Sequence, residues 1–343
     1  MDIGVFDHLD RGSKGDTQFY RERLRIAEAF EQAGFYSYHF AEHHFTPIGM
    51  SPSPSVFSAA LAERTTKLRF GPMVYPLPLY HPLRLAQEIC MVDHLSEGRF
   101  DVGFGRGSSK LEAAYYGQDT SQELYLESLD AILRALQTDR LTFHGKYFNF
   151  DDVPMQMHPY QKPYPPLWYG VHSIESTERA AHGGFNMISA DSNEDTRRYH
   201  DHYRKLWRQE RGAAPLPRLG LMRFVVVADS DERAMAIAER AYASWHASFH
   251  WMSRLHNQVP RLGERARDYR TAIEQGKAIA GSPKTVADYL AQQLVMTRSN
   301  YFVGQFAFGD MSLDETLESV ELFKNRVAPA LHAAEWTEEA TAA

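Results

Sequence analysis

A closed (β/α)8 barrel of the α/β class, the TIM barrel, with insertions at the C-terminal face of its strands, is the fold this sequence predicts. Three observations predict it. Short apolar runs alternate with amphipathic helical patterns eight times along the chain, as parallel strands joined by crossover helices require. The chain has 343 residues, long for one compact domain yet ordinary for a barrel, and 43% apolar with 13% aromatic residues supply a core. No internal repeat beyond the strand–helix period, and no low-complexity tract before Glu335, breaks that rhythm. A single domain over 1–335 with a frayed tail over 336–343 is therefore expected.

Residues 2–8 read as a short buried strand, and 17–33 as a helix whose apolar set is Phe19, Leu24, Ile26, Ala27 and Phe30, with Gly34 ending it. A strand over 36–42, a helix over 54–65 and a strand at 67–74 follow. Next come a helix over 82–96, a strand at 99–104 and a long helix over 121–137. The second half supplies strands at 167–171, 185–189, 220–227 and 300–308, with helices at 173–182, 194–211, 283–294 and 313–327. Two insertions interrupt the pattern. The first, 139–166, carries Phe143, Tyr147, Phe148 and Phe150 and then five prolines from Pro154 to Pro166, which favour extended backbone; it is expected to cover part of the barrel mouth. The second, 230–281, holds Trp245, His246, His250, Trp251 and His256 before a charged run at 261–270, and its length marks it as a candidate lid.

The net charge is −7, and no stretch gathers enough Lys or Arg to neutralise a row of phosphates, so nucleic acid is excluded as a partner class. The sole cysteine, Cys90, sits on an apolar helical face and has no partner for an intrachain bridge, which fits a reducing compartment and an inert packing role. The chain opens as a strand rather than as a signal segment, and no apolar run approaches the length of a membrane span; a cytoplasmic location is the expectation.

In a barrel of this kind chemistry sits at the C-terminal strand ends, so polar residues there are the candidates. The second strand ends in Ala41-Glu42-His43-His44-Phe45. Adjacent strand residues face opposite ways, so His43 and His44 do not ligate one metal together, and no metal site is expected. A neutral imidazole in the mouth can exchange protons or donate a hydrogen bond, with one histidine working and the other packing. The third strand runs through Met73 and Val74 into a span with four prolines, Pro72 to Pro82. Such a rigid path suits either a flat ring bound against backbone or a stiff surface connection. The fourth ends in Gly103-Phe104-Gly105-Arg106-Gly107, where glycines leave the guanidinium open for a phosphate or for a surface ion pair. After the fifth, Ser173 is placed as a helix N-cap; with Ser176 one turn on, two hydroxyls and free amides converge as an anion site.

Taken in order, Glu42-His43-His44-Phe45, Tyr80-His81-Pro82, Leu95-Ser96-Glu97-Gly98-Arg99-Phe100, Gly103 to Gly107, and Gln161-Lys162-Pro163-Tyr164-Pro165-Pro166-Leu167-Trp168 resemble the bacterial-luciferase-like flavin monooxygenases. The likeness spans nearly the whole chain, down to Phe323 through Val327. It implies a barrel that receives reduced FMN from a separate NAD(P)H:flavin reductase, forms a flavin hydroperoxide with molecular oxygen as cosubstrate, and transfers one oxygen atom to a small organic substrate. It implies His43 as the catalytic histidine with His44 beside it. A non-proline cis peptide is implied at Met73–Val74 against the flavin ring, and phosphate contacts at Arg106, Ser173 and Ser176. A homodimer through helices of the first half is implied as well.

Three positions depart from the pattern. Gly105 stands where luciferases carry a cysteine, His172 where an acidic phosphate-binding position precedes the serine, and Glu123 where a second phosphate arginine is expected. The departures argue against light emission. The aromatic residues Tyr75, Phe104, Tyr147, Trp245 and Trp251 are candidate walls for an apolar or aromatic substrate. The competing readings are a flavin- or deazaflavin-dependent oxidoreductase that transfers hydride, a flavin-binding protein without turnover, and a barrel hydrolase with paired carboxylates, which no two acids at strand ends support.

Overall fold

The computed structural model describes residues 1–107, 109–259 and 263–333. The expected domain boundary at 335, the tail beyond it and the first part of the charged run at 261–270 lie wholly or partly outside the described residues. In chain order the first half comprises β1 (Asp2–Asp7), α1 (Asp16–Gln32), β2 (Ser37–Phe40), α2 (Pro54–Arg64), β3 (Arg69–Pro72), β4 (Tyr75–Pro76), α3 (Pro82–Leu95), β5 (Val102–Gly105), α4 (Lys110–Tyr115) and α5 (Gln122–Ala135). Then follow β6 (Arg140–His144), β7 (Asn149–Pro154), β8 (Leu167–Gly170), α6 (Ile174–Gly183), β9 (Asn186–Ser189), α7 (Asn193–Arg211) and β10 (Leu219–Val227). The chain continues through α8 (Asp231–Phe249), α9 (Trp251–Leu255), α10 (Tyr269–Glu274), β11 (Ala278–Gly281), α11 (Pro283–Thr297), β12 (Tyr301–Gln305), α12 (Leu313–Leu322), a π-helical turn at Phe323–Val327 and α13 (Ala328–Ala333).

Helix starts follow local chemistry. Serine hydroxyls accept the orphan N–H three residues on at Ser121, Ser173, Ser192, Ser230, Ser282 and Ser312, and proline opens α2, α3 and α11. Gly34, at φ 77°, supplies the left-handed residue after α1. On α7, Tyr199, Tyr203 and Trp207 recur every four residues and are buried, which packs an otherwise charged helix onto the barrel.

All barrel strands pair in parallel. β1 lies between β2 and β12, β12 pairs β10, and β10, β9, β8 and β5 follow as neighbours. The ring closes between β5 and β3 through the Phe70–Phe100 bridge, and β4 adds a second rung against β5. The predicted fourth strand at 99–104 is thus split: residues before Val102 make only that bridge. Inside the ring, Phe6, Ala41, Trp168, Ile188, Tyr301 and Val303 form the interior layer, with His39 held against Trp168 at 4.5 Å and bonded to Tyr301 Oη at 3.0 Å. Gly4 makes room for that layer, because a Cβ there would lie 1.7 Å from the Tyr301 hydroxyl. A larger apolar layer fills the space between strands and helices and includes Cys90, a free thiol that burial pushes up to about 11.

Two elements differ from expectation. The first insertion forms an antiparallel hairpin, β6–β7, along α5, and no residue of 139–166 lines the cavity at the barrel mouth. The predicted covering role is therefore corrected: Tyr147 and Lys146 sit at the hairpin tip beside Glu123 instead. The second insertion ends in an unpredicted strand, β11, which pairs with the far end of β10 and anchors α8 to α10 above the barrel. Among the described residues no helix is long and apolar enough to cross a membrane.

Candidate active site

The C-terminal strand ends enclose a cavity of about 360 Å3. Residues from the ends of β1 to β5 and β8 to β10 reach it, and the second insertion roofs it with Tyr242, Trp245, Phe249 and Arg265. His43, Met73, Val74, Arg106, His172, Ser173 and Ser176 all line it, so seven of the eight residues singled out in the sequence converge on one space. His44 does not. Its side chain is buried beneath, with Nε2 2.8 Å from Glu42 Oε1 and Nδ1 3.0 Å from the Tyr116 hydroxyl.

Two imidazoles face the cavity with their ring centroids 6.3 Å apart and nearly parallel. His43 Nδ1 lies 3.0 Å from Glu112 Oε1, while Glu112 Oε2 accepts the His44 backbone N–H at 2.9 Å. Nδ1 therefore donates to the carboxylate and Nε2 is left to the cavity. Burial pulls the His43 pKa down, but the Glu112 carboxylate, with help from Glu42, more than reverses this and holds it above the ordinary imidazole value. His8, at the end of β1, is the opposite case. Its Nδ1 accepts both the Trp245 indole N–H at 3.3 Å and the Gln305 amide at 3.0 Å, which places the proton on Nε2. Burial, with His43 and Arg265 nearby, keeps His8 well below the ordinary value and so neutral. Under His43, Glu42 is buried and bonded by Tyr80 at 2.7 Å as well as by His44; burial pushes its carboxyl up to about 7.

On the opposite side, Ser173 caps α6 reciprocally with Ser176, whose hydroxyl also accepts the His172 and Ser173 backbone N–H groups. Arg106, Gln122 and Arg179 line the cavity here, and Arg179 Nε donates to the Tyr169 hydroxyl at 3.3 Å. Among the described residues neither arginine pairs with a carboxylate. Both serine hydroxyls are engaged within the cap, Ser176 Oγ donating to the Ser173 carbonyl at 2.8 Å and Ser173 Oγ to Ser176 Oγ at 3.3 Å, so the two guanidinium groups and the start of α6 form the donor set suited to a phosphate. Between it and the histidines lies an apolar floor of Met73, Val74, Ala41, Phe104 and Ile188, and the Met73–Val74 peptide is cis. A flat ring bearing a phosphate tail fits these surfaces: donors at one end, an apolar face in the middle and two imidazoles beyond.

Sequence reasoning missed several residues of the site, most of them lining the cavity and one, Glu112, bonded to His43. Arg179 follows Ser173 and Ser176 at three-residue spacing on one helix face, a signal that could have found it; Glu123, where a cation was sought, points away to Lys146. His8, Glu112, Arg223, Arg265 and Lys277 carried no local signal. Of the candidate walls, Phe104 and Trp245 line the cavity, whereas Tyr75 is buried against Ser55, Tyr147 is on the hairpin and Trp251 is exposed on α9.

A family model described as luciferase-like monooxygenase matches residues 1–298. An uncharacterized protein of Sinorhizobium fredii is 38% identical over 92% of this chain and 93% of its own length. The oxygenase component of a flavin-dependent trigonelline monooxygenase from Acinetobacter baylyi is 28% identical over 69% of this chain and 68% of its own length. Among solved structures, the monooxygenase RslO1 of Streptomyces bottropensis superposes with a TM-score of 0.85 over 96% of this chain and 99% of that one, at 24% identity, and so shares the fold.

Proposed function

This chain belongs to the luciferase-like family of flavin-dependent monooxygenases, and from that premise we propose that it is the oxygenase component of a two-component system that uses reduced FMN to oxygenate a small apolar or aromatic compound. The observation that carries the reading is one cavity holding both a phosphate cradle, Arg106 and Arg179 with Ser173 and Ser176, and an apolar floor at Met73–Val74. The Acinetobacter baylyi relative is itself named an oxygenase component, which supports a separate NAD(P)H:flavin reductase as partner. A cytoplasmic homodimer completes the proposal.

Reduced FMN, when bound, supplies two electrons and the activation of molecular oxygen, one atom of which enters the substrate while the other leaves as water. The chain's residues do the rest. Arg106 and Arg179 would hold the phosphate by charge-assisted bonds, with His172 and the start of α6 beside them. The apolar surfaces of Met73 and Val74 would hold the ring. His43, oriented by Glu112, takes up or releases a proton at Nε2, and His8 offers a fixed N–H from its own Nε2. His44, tied to Glu42 and Tyr116, positions the backbone N–H that holds Glu112 in place. The aromatic roof from Tyr242 to Phe249 excludes water.

An anaerobic titration with reduced FMN and reduced riboflavin, followed by oxygen in the presence of aromatic substrates, tests this. We expect FMN to bind about 10–100-fold tighter than riboflavin, the worth of charged hydrogen bonds to the phosphate, and oxygen uptake to match oxygenated product. Equal binding of the two flavins removes the cradle. Oxygen returned entirely as hydrogen peroxide, with hydride passed to a substrate under anaerobic conditions, replaces the proposal with hydride transfer by a flavin or deazaflavin.

A further inference from the structure

A second group of cations enters the same cavity, apart in sequence from the residues of the phosphate cradle. Arg223, Arg265 and Lys277 all line the cavity on the side of β10 and the second insertion. Arg223 is buried, and its three nitrogens donate to neutral acceptors: Nε to Gln293 Oε1 at 2.7 Å, Nη1 to the Met222 carbonyl at 2.7 Å and Nη2 to Asn193 Oδ1 at 2.8 Å. The Arg265 guanidinium lies over the Phe249 ring at 4.9 Å. Among the described residues no carboxylate forms an ion pair with any of the three. Asp191, whose charge opposes the pKa lowering of all three cations, is paired with His172 at 3.3 Å.

Such an arrangement is costly unless an anion joins it. Burial lowers the pKa of all three groups, to about 10 for Arg223, and for Lys277 repulsion from Arg265 and Arg223 adds to the lowering. The two cation sets enter the cavity from different elements. In sheet order β9 lies between β8, which leads into the cradle helix, and β10, which carries Arg223. Two strand spacings separate them by about 10 Å. The wall beside the second set is aromatic: Phe224, Tyr242 and Phe249 pack around Trp245 with centroids 4.7, 5.1 and 5.2 Å from it.

We propose that this side of the cavity binds the oxyanion of an aromatic acid, a carboxylate or sulfonate, with the ring held against the Trp245 wall. Arg223 is a preset anchor, because its three neutral bonds fix its plane. Arg265 and Lys277 arrive with the second insertion, so the roof and the anion charge are delivered by one segment. This inference names a substrate class for the function proposed above and rests on FMN occupying the other end of the cavity.

The test measures tryptophan fluorescence of the full chain titrated with benzoate, benzenesulfonate and neutral benzamide, with and without oxidised FMN, in wild type, Lys277→Met and Arg265→Gln. FMN affinity is measured separately in each protein. We expect at least one of the acids to bind wild type about tenfold or more tighter than benzamide. That preference should fall about tenfold in Lys277→Met, while benzamide and FMN affinities stay within about twofold. Equal binding of acids and amide overturns the proposal. So does a preference that survives in both variants, or variants that weaken FMN and leave benzoate unchanged, since the cations then serve the flavin. Failure of wild type to bind FMN sinks the function proposed above, whereas the titrations without FMN still read the anion site.

Discussion

Replacing Gly105 by alanine probes the floor of the cavity. Gly105 ends β5, and a Cβ built on it lies 2.3 Å from Val74 Cγ2 and 3.3 Å from Val74 Cβ. Carbon atoms prefer about 3.5–4.0 Å, so the valine must move by more than one ångström. Rotation about χ1 brings little relief, because Cγ1 is already 3.6 Å away and β-branching leaves few allowed rotamers. The backbone of the floor then shifts, at the cost of overpacking, about 1–3 kcal/mol. Val74→Ala deletes the interfering Cγ2 methyl together with Cγ1. By itself it costs about 1 kcal/mol, since Val74 is half-buried and faces the cavity. Equilibrium urea unfolding and FMN titration of wild type, both single variants and the double variant form a thermodynamic cycle. We expect Gly105→Ala to lower stability and to weaken FMN, and Val74→Ala to recover about 1–2 kcal/mol of the loss as coupling energy. Strictly additive effects, or a Gly105→Ala protein with the wild-type midpoint and FMN affinity, would refute the reasoning. A cysteine here, as in the luciferase pattern, would require a smaller neighbour at position 74.

Further outcomes follow from the same geometry. Arg106→Ala should weaken FMN about 10–100-fold and leave riboflavin unchanged, because only the phosphate loses a charged partner; a parallel loss for both flavins would remove Arg106 from the cradle. For Glu112→Gln, burial and the Arg265 charge act on His43 against Glu42 only, so its titration moves toward acid and the activity limb it controls moves with it. In wild type the charged pair stabilises fully below the ordinary imidazole value of 6.5 and fades as pH rises through the higher folded value. The stability gap between wild type and Glu112→Gln should thus be widest at acidic pH, and a gap independent of pH counts against the pair. Glu31 accepts the backbone N–H groups of Thr66, Lys67 and Leu68 at 2.8, 2.7 and 2.9 Å. Burial raises its pKa, yet those three bonds outweigh it and leave it below the ordinary carboxylate value. Glu31→Ala should cost about 1 kcal/mol near neutral pH, since water can replace the carboxylate at the exposed Thr66 and Lys67 amides. That contribution is complete above the ordinary value and is lost as pH falls through the lower folded one, so unfolding midpoints that differ equally at pH 7 and pH 3 would contradict it.

Local chemistry carried most of the architecture. Apolar spacing on α1, α3 and α7, serine caps such as Ser173, and the glycines that follow helices each act within a turn or two, so the residues that encode an element sit inside it. Strand ends were legible for the same reason, and with them His43, Arg106 and Ser176. The hairpin at β6–β7 was misplaced because its prolines and alternating residues prescribe extended backbone without saying which surface it covers. β11 was missed because Ala278 to Gly281, three of the four Ala or Gly, carry no periodic signal and gain strand form only by pairing with Phe224 to Val227 of β10. The chemistry of the histidines came from farther still. Glu112 is 69 residues from His43, and Trp245 and Gln305 meet at His8 only because β12 closes the ring beside β1 and α8 folds over both. Residue spacing prescribes which side of a strand or helix a group occupies; which groups meet across the mouth depends on ring closure, a property of all eight strands that no local segment contains.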